Sequence, residues 1–132
     1  MNVVIMGCGR VGSRLATIMD AEGHRLTVVD VNPAAFSRLS SSYGGETVVG
    51  DATDEDVQRE AGVVDADVFV AVTQGDNRNI MASQVAKHLF QVDKVVCRIY
   101  DPIRQEVFRD LGLRTFSPTT VLTQMIHDTI EG

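Results

Sequence analysis

Apolar residues in this 132-residue chain gather into short continuous runs, among them Val3-Val4-Ile5-Met6, Leu26-Thr27-Val28-Val29 and Val68-Phe69-Val70-Ala71-Val72. Runs of this kind suit strands buried on both faces of a parallel sheet. They predict strands at 3–6, 25–30, 46–50, 68–72, 94–99 and 114–117. The segments between them carry apolar residues at helical spacing. Residues 10–22 place Val11, Leu15, Ile18 and Met19 on one face and stop at Gly23. Asn32-Pro33 opens a short helix whose apolar side is Ala35, Phe36 and Leu39, and Thr53 or Asp54 caps another through Glu60, closed by Gly62. Residues 76–89 are the longest helix candidate, aligning Ile80, Met81, Val85 and Leu89. Asp101-Pro102 starts a helix to Leu111 that ends at Gly112, and Pro118 leads into a C-terminal helix over about 119–131. Regular alternation with right-handed crossovers implies a single α/β domain over 1–132. Its expected architecture is a Rossmann-like, doubly wound, six-stranded parallel sheet of order 3-2-1-4-5-6, followed by the C-terminal helix.

Ligands of such sheets sit beyond the carboxyl ends of the first and fourth strands, where the winding reverses. There the chain has Gly7-Cys8-Gly9-Arg10-Val11-Gly12, between the first strand and the first helix. Gly7 permits the tight bend, Gly9 lets a pyrophosphate approach the backbone, and Gly12 lets the helix lie close to the strand. The free amides and positive dipole end of the helix then face a phosphate. Asp30 lies 18 residues past Gly12, close to the roughly 20-residue interval at which an acid meets ribose hydroxyls. An acid there repels a 2′-phosphate, which argues against NADP. Val31 and Asn32 follow Asp30, and Asn32 offers the same sugar a second polar contact or serves only its turn.

Arg10 opposes the helix dipole unless an anion lies between, so it reads as a phosphate contact of this subunit or a neighbour's ligand. Asp51-Ala52, directly after the third strand, suits an adenine edge about as well as a helix N-terminus. Arg98, inside Val95-Val96-Cys97-Arg98-Ile99, would be a buried charge unless it sits at the strand exit and meets a phosphate or carboxylate. Thr73 ends the fourth strand and Ser117 the sixth. His24, His88 and His127 fall at helix ends or exposed positions, which removes the obvious general bases from the strand ends. Cys8 is chiefly small, with redox sensing a minor alternative.

Twelve basic and 18 acidic residues give a net charge of −6 and a pI near 4.9, against broad nucleic-acid or anionic-membrane binding. A local basic pocket is still compatible with that balance. Two cysteines without CxxC or metal spacing fit a reducing cytoplasm and no metal site. No apolar run approaches the roughly 20 residues of a membrane span, so any membrane role would pass through a partner.

Gly7-Cys8-Gly9-Arg10-Val11-Gly12, Asp30, Gly50-Asp51-Ala52-Thr53, Val72-Thr73 with Asp76 and Asn79-Ile80, and Cys97-Arg98 before Asp101-Pro102 resemble the N-terminal lobe of RCK (KTN, TrkA-N) domains. These domains regulate potassium conductance in Trk and Ktr uptake systems, potassium channels and glutathione-gated efflux antiporters. The resemblance runs from Met1 to about Ile130. It implies a non-catalytic cytoplasmic regulator, at the inner face of the plasma membrane through its partner, with NAD(H), AMP, ADP or ATP in the switch-point crevice. The partners implied are a membrane potassium transporter or channel subunit and a second copy, as a homodimer or higher ring. It carries Arg10 and the glycine loop to phosphates, Asp30 to the ribose, Asp51 and Ala52 to adenine and Arg98 to phosphates, with Thr73, Asn77 and Asn79 lining the crevice. Pro118-Thr119 stands where ATP-binding Ktr-type members have a glutamate used with a divalent cation, so a metal-linked ATP site is not implied. The smaller C-terminal lobe that commonly follows lies outside these residues.

Val121, Leu122, Met125, Ile126, Thr129 and Ile130 form an apolar stripe on the last helix. It packs either on the domain's own sheet or, as the resemblance suggests, along a dimer seam. Two other functions compete with a regulator: the cofactor half of an NAD-dependent oxidoreductase, which needs a proton donor and a substrate domain, and a dimerisation module with an idle pocket.

Overall fold

A computed structural model describes residues 1–132. Six strands, β1 (Asn2–Met6), β2 (Arg25–Asp30), β3 (Glu46–Val49), β4 (Val68–Ala71), β5 (Lys94–Arg98) and β6 (Arg114–Phe116), form one sheet ordered β3-β2-β1-β4-β5-β6, with every pairing parallel. The helices are α1 (Arg10–Ala21), α2 (Glu55–Glu60), α3 (Asp76–Gln84), α4 (Pro102–Asp110) and α5 (Pro118–Glu131), with 3-10 turns at Pro33–Arg38 and Val63–Asp65. The chain winds outward from β1 through β2 to β3, then returns to β4 beside β1 and winds outward the other way. The expected fold is therefore the observed one.

Alternation along the central strands divides the core into two layers. Val3, Ile5, Val28 and Val70 face α1 and the first 3-10 turn, where Ala16 and Ala35 meet them. Val4, Met6, Val29, Phe69 and Val95 face α2 and α3, meeting Ala61, Ala82 and Ala86. The fully buried helix residues at both contacts are small, so helices lie close to the sheet, and larger helix residues such as Leu15, Met19, Val57 and Phe108 pack half-buried against it. Phe69 and Ile5 are wholly enclosed, each burial contributing about 1.5–3 kcal/mol.

Local signals set the element ends. Asn32, Asp54 and Asp101 each accept a backbone N–H two residues on, and Pro33, Pro102 and Pro118 occupy first helical positions. Three expectations are corrected. The long helix after β4 is α-helical only to Gln84 and Val85–Leu89 continue as a wider π turn; Ile80 is buried as expected, but Met81 and Leu89 are exposed instead of aligned on the core. On α1, Leu15 and Met19 pack half-buried against the core as expected, but the fully buried residues are Gly12, Ser13 and Ala16, and Val11 and Ile18 are exposed, because closeness to β1 selects the small side chains. Packing of α5 on its own sheet is also excluded, since none of its residues is buried.

Candidate functional site

The carboxyl ends of β1 and β4 part at the switch point, and a crevice of about 680 Å³ opens between the loops that follow them. Its central wall is the glycine loop. Gly7 has φ +111°, donates to the Val29 carbonyl at 2.8 Å, and leaves no room for a side chain against the Val72–Thr73 backbone. Gly9 has open space where a side chain would stand. The first turn of α1 has neither a side-chain cap nor an acidic residue, so its leading amides and positive dipole end remain available to an anion.

Asp30 closes the β2 side. One carboxylate oxygen accepts the Cys8 N–H at 2.8 Å and the other the Asn32 N–H at 2.9 Å. The carboxylate is fixed beside the glycine loop, and each oxygen keeps a further lone pair for a hydroxyl donor. Burial, with the Asp30 charge next, raises the Cys8 thiol above its usual pKa. Its enclosed side chain is a neutral thiol at neutral pH, the opposite of an activated nucleophile.

The β4–β5 side is a side-chain network. Asn79, fully buried on α3, accepts the Thr73 N–H at 3.0 Å and the Thr73 hydroxyl at 2.6 Å. It donates to the carbonyls of Thr73 and Arg98 at 2.9 and 3.0 Å. The Arg98 guanidinium donates to the Thr73 carbonyl at 3.2 and 2.6 Å and lies 5.0 Å from the Tyr100 ring centre. Asp76, first in α3, receives the Tyr100 N–H at 2.8 Å. These contacts tie the ends of β4 and β5 into one rigid edge.

Of the residues singled out in the sequence, Gly7, Cys8, Gly9, Arg10, Val11, Asp30, Val31, Asn32, Ala52, Thr73 and Arg98 line the crevice together. Four others do not. Gly12 lies beneath, where a side chain would run into the Gly7 carbonyl oxygen. Asn79 is spent on the buried network, and the Asn77 amide oxygen turns to Arg104 at 2.6 Å. Asp51 points at Thr53, accepting its N–H at 3.0 Å and hydroxyl at 2.8 Å, and pairs with Arg78 at 3.6 Å. Burial pushes the Asp51 pKa up, but the Thr53 bonds and Arg78 outweigh it and hold the carboxyl below its ordinary value. Arg98 sits partly exposed at the strand exit, its protein partner a carbonyl, so desolvation alone does not demand an anion there.

Arg38, Gln74, Arg78 and Tyr100 also line the crevice and were missed from sequence. Tyr100 stands two positions past Arg98, the spacing that returns a side chain to the same face, so it was findable. Arg38 reaches back from the end of a 3-10 turn, a contact that depends on three-dimensional folding. With Arg10, Arg78 and Arg98 it makes four arginines around one fixed acid, in a chain of net charge −6. The crevice is thus a local cationic site with a single fixed carboxylate, and it contains no histidine. Among the residues of the whole chain, no group of three or more His, Cys, Asp or Glu could hold a metal, and no helix is long and apolar enough to cross a membrane.

A family model described as the TrkA-N domain matches residues 3–118. The Trk system potassium uptake protein TrkA of Streptomyces coelicolor is 51% identical over 115 residues, covering 87% of this chain and 52% of that protein. The chain therefore spans about half the length of that curated relative. The C-terminal domain of Kef from Shewanella denitrificans, in AMP-bound form, superposes with a TM-score of 0.77 at 24% identity, covering 100% of this chain and 82% of that one. The GsuK channel bound to NAD superposes with a TM-score of 0.73 at 22% identity, covering 89% of this chain and 21% of that one. At those identities the two likenesses are of fold.

Proposed function

This chain belongs to the TrkA-N domain family, and from that premise we propose that it is a cytoplasmic, nucleotide-binding regulatory domain that gates a membrane potassium transporter or channel. NAD(H), AMP, ADP or ATP is the ligand. The first amides of α1, with Arg10 and Arg98, hold the phosphates, while Asp30 accepts hydrogen bonds from the ribose hydroxyls. Val31 and Ala52 seat the base. The observation that carries this reading is Asp30 fixed by the Cys8 and Asn32 amides directly beside an uncapped helix start. That arrangement pairs a hydroxyl acceptor with an anion cradle, as a nucleoside phosphate requires. With four arginines lining it and no histidine, the crevice favours holding an anion over general acid–base work. The AMP-bound and NAD-bound neighbours lend support to the ligand class.

Regulation follows from differential affinity: the ligand must prefer one arrangement of the assembly, because equal affinity for both would shift nothing. The helix α5, with Val121, Leu122, Met125, Ile126 and Ile130 all exposed, supplies a self-association element. A homodimer or higher ring then couples crevice occupancy to the membrane partner.

Calorimetric titration of the chain with NADH, NAD, AMP, ADP and ATP tests the reading. At least one binds with a Kd below about 1 mM, and Asp30→Asn weakens it by about tenfold, the loss of one or two hydrogen bonds from a charged acceptor. Absence of binding to all five nucleotides refutes it.

A further inference from the structure

Most of the crevice is accounted for by sugar and phosphate chemistry, but its outer end beyond Asp30 is different in character. Val31 presents an apolar side chain there, half exposed, and Ala52 forms the floor. Beside this end stands Arg78 from α3, one of the four arginines, paired with Asp51, the residue before Ala52. Arg98 is committed to the Thr73 carbonyl, and Arg38 turns to the Cys8 carbonyl. Arg78 instead has a single protein partner, Asp51, at 3.6 Å through one terminal nitrogen, with both side chains about half exposed. One such contact leaves the flat face of the guanidinium free.

Two features make this placement rigid. Asp51 is pinned by the Thr53 amide and hydroxyl, so the carboxylate that steadies Arg78 does not wander. Beneath it, buried Gln58 donates to the carbonyls of Ala52 at 2.7 Å and Ala82 at 2.9 Å. The floor of this end and the helix carrying Arg78 are thereby fixed relative to each other. A guanidinium is planar and weakly hydrated, and it stacks readily on aromatic faces.

We propose that Arg78 reads the base: its guanidinium stacks on the face of an adenine seated against Val31 and Ala52, and Asp51 is the positioning residue that holds it there. The proposal rests on the crevice being a nucleotide site and specifies how the base is gripped. Every base has a π face, so this contact favours a nucleotide over a bare sugar phosphate without reading the purine's edge.

The test uses AMP and adenosine, which share base and ribose and differ in the phosphate, titrated into the full 132-residue chain by NMR chemical shift. Arg78→Ala is expected to weaken both ligands by the same factor, about five- to tenfold, as a lost cation–π contact implies. Arg78→Lys, which keeps the charge and loses the plane, weakens both nearly as much, and Asp51→Asn gives a smaller equal loss. Weakening of AMP with adenosine unchanged would mean that Arg78 meets the phosphate and overturns the proposal. Affinities unchanged for both, with wild-type binding intact, overturn it while leaving the nucleotide reading standing. Failure of the wild-type chain to bind either ligand overturns the adenine contact, and the nucleotide reading is then decided by the five-nucleotide titration. The side chain is half exposed, so Arg78→Ala retains the wild-type melting temperature within a few degrees.

Discussion

The first helix and the last carry comparable apolar patterns and meet opposite fates. Along α1 the fully buried contact with the sheet is made by Gly12, Ser13 and Ala16, with Leu15 and Met19 half-buried against the same core, and Val11 and Ile18 are left outside. Along α5, Val121, Leu122, Met125, Ile126 and Ile130 are all more than two-fifths exposed, and nothing is buried. An apolar stripe therefore measures a helix's capacity for burial and does not name its partner. What brings α1 onto β1 is the lack of side-chain bulk at Gly12, which lets the backbone of the helix approach the Gly7 carbonyl. The same closeness aims its free amides into the crevice. Helix α5 has no such close approach, and its large side chains form a surface suited to another chain.

The sharpest way to break this contrast is to give α1 bulk. Gly12→Val drives a branched side chain into the Gly7 carbonyl, a backbone atom that cannot yield without moving the loop. The expected cost is about 3 kcal/mol or more, at the upper end for overpacking, read as a lowered midpoint in urea unfolding. Nucleotide affinity falls with it, because the loop and the helix start are one structure. A variant of wild-type stability would show that α1 is held by its larger residues after all.

Asn79→Leu comes next, at about 2 kcal/mol. The replacement fills the space but strands the Thr73 N–H and hydroxyl and removes a donor from two carbonyls, and unmade buried hydrogen bonds cost about 1–3 kcal/mol. Asn79 also shows where reading a sequence stops. As a polar residue near a strand end it reads as crevice lining; its burial is decided by the angle at which α3 meets β4 and β5.

The same distinction governs the rest of the molecule. The strand order, the proline and aspartate starts of helices, and the glycine-loop placement were legible because each depends on neighbours within a few residues or on the hydrophobic period. Tertiary contacts were not. The π turn at Val85–Leu89, the reach of Arg38 to the Cys8 carbonyl and the Arg78–Asp51 pair between α3 and the loop after β3 are set by contacts that no local pattern reveals. The position of Asp51 after β3 suits an adenine edge about as well as a helix N-terminus, and Thr53 two residues later, a hydroxyl and amide within its reach, is what the carboxylate meets.

An effect confined to alkaline pH separates the enclosed sheet from the open helix by chemistry. Burial chiefly pushes the Cys97 thiol from 9.0 up to about 11. The folded chain thus holds that proton more tightly than the unfolded one. The resulting stabilisation is complete below pH 9 and lost as pH rises toward 11. Urea midpoints should decline over that window, and the decline should shrink in Cys97→Ser. Cys8, enclosed as well, should share with Cys97 its silence toward a thiol reagent at pH 8 until the chain unfolds.

The smallest expected change in stability belongs to α5 and is the most informative about it. Ending the chain after Ser117 removes a helix that buries nothing against the domain, so the unfolding free energy of the remaining monomer should move by less than about 0.5 kcal/mol, as for surface changes. The assembly should respond in the opposite sense: sedimentation equilibrium should find the wild-type chain associated and the shortened chain monomeric. Met125→Asp, a charge in the middle of the stripe, should reproduce the dissociation while keeping the helix. A large loss of monomer stability on truncation would instead mean that α5 folds back onto the sheet. Such a result would make it the second α1 that its sequence pattern suggests.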